Sequence, residues 1–225
     1  MSTVESVCEP PRDCPLCPRL AKFRNANRAA HSGYFNNPVP TFGHSNGRLL
    51  IVGLAPGLHG ANRTGRPFTG DYAGELLYSS LLHYGLARGT YAARADDGFE
   101  LVDCALTNAV RCVPPDNKPL PAEIRTCRRF LLAQLTAMPN LRAVLTLGRI
   151  AHESVLRALD IPLREHPFAH GSQYANGELT LVASYHCSRY NTNTGVLTPK
   201  MFDDAVAAAK TAAVRQEAHR QAASA

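Results

Sequence analysis

Short apolar runs alternate along this chain with stretches of helical periodicity, and few architectures accept that order. Arg48-Leu-Leu-Ile-Val-Gly-Leu54 reads as a buried strand, and the leucine spacing from Ala73 to Ala87 as a helix. Leu101 to Thr107 forms a second strand candidate. Pro121 to Met138 follows as a helix that opens on proline, with Glu123 two residues later. Arg142 to Leu147 and Leu179 to Ser184 are two further strands; a helical pattern from Ile150 to Leu159 follows the first after Gly148. A last helix starts at Thr198-Pro-Lys and runs into an alanine-rich tail. Strands that alternate with helices predict an α/β fold with a largely parallel sheet covered on both faces. Ligands of such sheets bind beyond the carboxyl ends of the strands. Three segments fall there: Gly53 to Asp71, Asn108 to Cys112, and His186 to Thr198.

The chain has 225 residues, 45% of them hydrophobic and 19% charged, which suits one domain with a self-sufficient core. No apolar run approaches a membrane span, since Leu49 to Pro56 is interrupted by Gly53. Met1 to Pro18 carries acidic residues, three cysteines and four prolines, not a basic and then apolar leader, so the chain is expected in the cytosol. The tail, divided off at 206–225, favours helix by composition and is given no function.

The formal charge of +6 is unevenly spread. From Cys14 to Gly70 there are seven basic residues (Arg19, Lys22, Arg24, Arg28, Arg48, Arg63, Arg66) and no Asp or Glu. Any one of them is adequately explained as solvated surface. An acid-free stretch of this length points to a polyanion such as nucleic acid.

The seven cysteines are at 8, 14, 17, 104, 112, 127 and 187. In a reducing compartment a close pair such as Cys14-Pro-Leu-Cys17 suggests a metal site. Cys112 and Cys127 are separated by fourteen residues, wider than the second pair of a zinc ribbon, and a tight pair with two looser cysteines suits a four-iron cluster better. The alternative is that Cys112 and Cys127 are merely small buried hydrophobes, as Cys104 is, but the spacing favours a metal site. Spacing alone leaves the metal open.

The Gly53 to Asp71 loop holds five glycines and Phe68 behind a proline, so backbone and an aromatic face can both approach a ligand. It is neither a Walker loop nor a dinucleotide fingerprint. Asn108, at a strand end, could read the polar edge of a base or simply cap a turn. His186 lies in a loop with Ser188, Arg189 and Tyr190, where function competes with a plain structural role.

Gly53-Leu-Ala-Pro-Gly with Asn-Arg-Thr-Gly-Arg-Pro-Phe-Thr-Gly-Asp71, Thr107-Asn108 with Val-Arg-Cys112, and His186 with Ser-Arg, Asn-Thr and Thr-Gly-Val-Leu-Thr-Pro199 together resemble the family 5 (UDGb-type) uracil-DNA glycosylases. The resemblance spans about residues 10 to 205. It implies a three-layer α/β/α domain over 14–205 with a central four-stranded parallel sheet, after a short arm at 1–13. It also implies a four-iron, four-sulfur (4Fe-4S) cluster on Cys14, Cys17, Cys112 and Cys127. The implied activity is removal of uracil, hypoxanthine or other deaminated bases from double-stranded DNA, with single strands a further substrate, by a monomer.

The same resemblance distributes roles. Phe68 stacks on the flipped base, Asn108 addresses its edge, and Gly53, Ala55 and Pro56 line the base site. His186 donates to the departing base. Ala55 stands where other branches of the superfamily carry a water-orienting polar residue, which leaves that role to Asp71. His59, Asn62, Arg63, Ser188 and Arg189 face the DNA backbone, and Tyr190 is the wedge. A non-catalytic iron-sulfur or zinc nucleic-acid-binding module is the competing reading; it would need neither Asp71 nor His186.

Overall fold

Leu49–Gly53 is apolar at four of five positions and buried at every one, which places it in the centre of a sheet. The computed structural model describes residues 9–223, with side chains through residue 215. In chain order the elements are α1 (Pro18–Ala30), β1 (Phe42–Gly43), β2 (Leu49–Gly53), α2 (Ala61–Thr64), α3 (Tyr72–His83), β3 (Ala87–Arg88), β4 (Glu100–Leu101) and β5 (Cys104–Asn108). Then come a 3-10 turn at Pro115–Asn117, α4 (Pro121–Thr136), β6 (Ala143–Leu147), α5 (Arg149–Ala158), β7 (Gln173–Asn176), β8 (Leu179–Ser184), α6 (Arg189–Asn193) and α7 (Pro199–Ala223). No helix among the described residues is long and apolar enough to cross a membrane.

The main sheet has six strands in the order β1-β5-β2-β6-β8-β7. Its four central strands pair in parallel, as expected, while β1 and β7 close the edges antiparallel. Strand alternation divides the core cleanly. Leu49, Ile51, Leu106, Leu145 and Val182 pack under α3 and α7, whereas Leu50, Val52, Ala105, Val144 and Leu181 pack under α4 and α5. This is the three-layer arrangement.

Three expectations change. The strand foreseen from Leu101 to Thr107 is broken at Asp103, whose φ of 53° turns the chain so that its carboxylate accepts from Arg48 N at 3.0 Å. β4 then pairs with β3 in a separate two-stranded sheet, and β5 starts afresh at Cys104. The boundary at 206 is not a structural one. α7 runs through it, and Val206, Ala209, Ala212 and Ala213 are buried in the same core as Phe202. The arm at 1–13 is likewise tied in at Glu9, which accepts from Thr41 N and pairs with Arg111; residues 1–8, Cys8 included, lie outside the described residues.

A chain ended at residue 205 loses the burial of Val206 alone at about 1.5 to 3 kcal/mol, and should melt well below the full chain in a thermal scan. An unchanged melting temperature would show that α7 contributes nothing past that point.

Candidate active site

β5 and β2 end side by side, β8 lies beyond β6, and the loops that follow these three strands enclose a cavity of about 430 Å3. Volumes of this order suit a small ligand. Phe68, Asp71, Asn108, Asn117, His186 and Arg189 are among the residues that line it.

Gly53 makes the pocket possible. A Cβ there would fall 2.4 Å from Phe68 Cζ and 2.5 Å from Asn108 Oδ1, so only a bare backbone lets both side chains occupy their places. Phe68 itself has φ 54°, an uncommon backbone for a bulky residue. Its turn is held from below: Arg66 donates to Thr69 Oγ1 at 2.7 Å, and Tyr78 OH to Pro67 O. Arg66 and Asp97 form a two-pronged ion pair at 2.7 and 2.8 Å, among the rings of Phe42, Tyr78, Tyr91 and Phe99. The guanidinium holds the Asp97 carboxyl far below the usual carboxylate range.

Asn108 is 3% exposed, and its carbonyl oxygen is buried without a hydrogen-bond partner among the described residues. A buried acceptor left unpaired costs about 1 to 3 kcal/mol. Across the pocket, the His186 and Phe68 rings lie 6.0 Å apart at 29°. Asn191 Nδ2 donates to His186 O at 2.8 Å and fixes its backbone. Burial pushes the His186 imidazole down to about 4, so the ring is neutral near pH 7.

Asp71 is the N-cap of α3, with Oδ1 accepting from Gly74 N at 3.2 Å. Its other oxygen faces a glycine: a Cβ on Gly60 would lie 2.5 Å from Oδ2. Burial raises the Asp71 pKa, opposed by the capping bonds from Gly74 and Ala73.

Ala55, His59, Ser188 and Arg189 line the cavity; Gly53 underlies it, and Pro56 is buried beside it without lining it. Arg63 is exposed next to the pocket, its guanidinium 2.7 Å from where a Gly70 Cβ would sit. Tyr190 is 74% exposed, free to project from α6. Asn62 differs from expectation. It is 1% exposed and its amide donates to Asn36 Oδ1 at 2.9 Å, so it braces the loop from inside and is not available to a phosphate.

A profile of the uracil DNA glycosylase superfamily matches residues 40–210. A type-5 uracil-DNA glycosylase of Thermus thermophilus is 46% identical over 203 residues, 88% of this chain and 92% of that protein. One from Pyrobaculum aerophilum is 40% identical over 83% of each chain, and a type-4 uracil-DNA glycosylase of Archaeoglobus fulgidus is 31% identical over 67% of this chain and 70% of its own. The chain belongs to the uracil-DNA glycosylase superfamily.

In this superfamily member, the polar lining residues that the sequence does not single out include Tyr72, under the Arg189 guanidinium at 5.4 Å, and Asn117. Asp116 and Asn117 both take left-handed backbone, φ 54° and 56°. The proline-flanked Asp-Asn pair was the available signal for such a turn.

The acid-free stretch is not the open polycation it suggested. Carboxylates from elsewhere in the fold reach it: Arg19 pairs with Glu123, Arg28 with Asp13, Arg48 with Asp103 and Arg66 with Asp97. Arg24 is buried. Lys22 and Arg63 remain exposed.

Cys14, Cys17, Cys112 and Cys127 line one small pocket and belong to one cluster with Leu20, Val110 and Phe130. None is in a disulfide. Among the described residues no three His, Cys, Asp or Glu side chains are gathered as ligands of a single metal ion. Four sulfurs around a shared pocket fit a larger group, whose corners stand farther apart. Burial pushes Cys127 up to about 12 and Cys17 to about 11, so a strong positive charge is needed to make thiolates of them. Cys104 and Cys187 are buried elsewhere, donating to Leu86 O and Ala73 O.

The unfolded chain binds a proton on His186 that the fold refuses between pH 6.5 and about 4, so stability contributed by the neutral ring is lost as pH falls through that window. An NMR titration of the histidine side chains should find the His186 ring neutral down to about pH 4; titration near 6.5 would mean the pocket is wet.

Proposed function

We propose that this chain hydrolyses the N-glycosidic bond of uracil, and of hypoxanthine or other deaminated bases, in double-stranded DNA, leaving the abasic site that opens base excision repair. It acts as a monomer in the cytosol, and accepts single strands where the target base is already unpaired. The observation that carries this reading is the unpaired Asn108 carbonyl, buried beside an aromatic face. Uracil presents N3–H to such an acceptor, and hypoxanthine and xanthine present N1–H. Cytosine has no hydrogen on N3 and would leave the acceptor unsatisfied, which rejects the normal base.

The target is unreachable inside a duplex, so the nucleotide is flipped into the pocket, where Phe68 stacks on it and Asn108 reads its edge. Arg63, Arg189, Ser188 and His59 hold the flanking phosphates, and Tyr190 fills the space the base has left. The bond breaks with its electron pair going to the base. Negative charge therefore grows on the uracil O2 while C1′ becomes cationic. Neutral His186 donates N–H to O2, a stabilisation made mainly in the transition state. Asp71, ionised, offsets the sugar cation and orients water toward C1′; the proton that water loses as the C–O bond forms passes to the Asp71 carboxylate, and the uracil anion takes up a proton from solvent on release. Ala55 offers no polar group for that task.

Cys14, Cys17, Cys112 and Cys127 would hold a four-iron, four-sulfur cluster. When bound it supplies a rigid link between α1 and the loop after β5, since the hydrolysis moves no electrons. Anaerobically purified protein should be brown and carry about four irons per chain; one zinc and no iron would refute the assignment.

Base release from a uracil duplex, followed by alkaline cleavage of the abasic site, tests the activity. In single-turnover kinetics His186→Ala should lower the rate about 10² to 10³-fold while DNA affinity stays nearly intact. The wild-type rate should fall as pH drops through the raised pKa of Asp71, because protonation removes the charge that faces the sugar cation. Asp71→Asn should be slow and lack that acid limb. Wild-type rates in this variant would assign the water to another group.

A further inference from the structure

Arg24 lies on α1 with 3% of its surface exposed, and a guanidinium so deeply placed needs a negative partner. No carboxylate among the described residues lies within ion-pair distance of it. Nη1 donates to Cys112 Sγ at 3.6 Å, Nη2 donates to Cys14 O at 3.1 Å, and Nε is buried with no partner. The other arginines of this region are satisfied differently: Arg19 pairs with Glu123, Arg28 with Asp13, and the buried Arg111 with Glu9. Arg24 alone among these four is turned into the pocket of the four cysteines without an acid beside it. Asp13 feels its charge from a distance but is exposed and held by Arg28, so the group that Arg24 touches directly is the Cys112 sulfur.

We propose that Arg24 is the counter-cation of the iron-sulfur centre, bonded to Cys112 Sγ, and that it sets both the hold on iron and the reduction potential of the cluster. This rests on the cluster reading of Cys14, Cys17, Cys112 and Cys127. A cluster ligated by four thiolates is negatively charged, and its potential responds to nearby charge and to hydrogen bonds on its sulfurs. A fixed cation with an N–H on one ligand stabilises the more negative, reduced form and raises the potential. The same hydrogen bond, with the one to Cys14 O, holds two ligand-bearing segments in place and so resists loss of metal. Arginine suits the task because it stays charged at every working pH and its fork spans a sulfur and a carbonyl together. A compensated cluster also repels DNA phosphates less than a bare one would.

The test compares wild type, Arg24→Gln and Arg24→Lys, all purified anaerobically. Iron per chain, the rate of iron loss to a chelator, the reduction potential by protein-film voltammetry and the melting temperature are measured. Arg24→Gln should release iron about tenfold faster, the scale of one charge-assisted hydrogen bond, and should have a lower potential. Arg24→Lys should recover part of the potential through its charge. An iron-loaded Arg24→Gln with wild-type release and potential overturns the proposal and leaves the cluster assignment standing. Wild type without iron overturns both. Should the glutamine variant fail to accumulate, Arg24→Lys decides alone: its ammonium cannot reproduce the fork, so faster iron loss is expected, and unchanged release and potential refute the role.

Discussion

The ring of Phe68 rests against the bare backbone of Gly53, and the base pocket exists because no Cβ intervenes. That contact sets the spacing of everything above it. Asn108 reaches the same point from β5, and His186 faces the ring from β8. Phe68 pays for its position with left-handed backbone, a strain on the order of 1 to 3 kcal/mol that the surroundings must over-determine. They do so through a buried ion pair set in aromatic walls. Asp97 holds Arg66, Arg66 holds Thr69, and Tyr78 holds Pro67, so three residues next to Phe68 are fixed by side chains from α3 and from the loop before β4. An arginine suited by sequence to grip DNA thus shapes the pocket from behind.

The same redistribution explains the charge pattern. An acid-free run of 57 residues, Cys14 to Gly70, looks like a polyanion surface only while the chain is read in one dimension. Folding brings Glu123, Asp103 and Asp97 to it from distant segments, and Asp13, just before the run, turns back onto Arg28. What remains near the pocket mouth is sparse: Arg63, Arg189 and His59. A few cations at the mouth would suit an enzyme acting on DNA one nucleotide at a time, since phosphate contacts fix register without selecting a base.

The parallel strands could be read from the sequence because burial on both faces demands unbroken apolar runs. Leu179–Ser184 appears with the bounds expected, and Ala143–Leu147 within one residue. α1 was missed because Pro18–Ala30 covers no broad apolar face; Leu20, Arg24 and Asn27 are what it buries. β7 was missed because three of its four residues are exposed, although Asn176-Gly177 before β8 is a hairpin signal. Asn108, Phe68, Asp71 and His186 were legible through strand ends and a family pattern. Asn62 was misplaced for the opposite reason. An asparagine in a glycine-rich loop looks available to a ligand until the fold supplies Asn36 as its partner.

A hydrolase has no evident need of iron, yet the loop after β5 has a need of its own. Between Cys112 and Cys127 the chain carries prolines at 114, 115, 119 and 121, which cannot donate hydrogen bonds, and two residues in left-handed backbone. Its backbone bonds are few and local, Asn117 N to Pro114 O and Lys118 N to Pro115 O among them. Such a segment cannot be ordered by a ladder. It is ordered at its ends: Cys112 follows Asn108 by four residues, Cys127 lies in α4 with its sulfur accepting from Arg111 N, and Arg19 clamps Glu123 at the start of that helix. A metal group held by Cys112 and Cys127 would close the loop with a bond that the backbone cannot make, and would remove the entropy of the whole segment. Asn117 at the mouth of the pocket is carried by that closed loop, and Asn108 lies just before it. The four-cysteine pocket and the cavity that Asn108 lines are therefore two ends of one short run of chain, which would give a hydrolytic enzyme a structural reason to keep thiolate ligands without electron transfer.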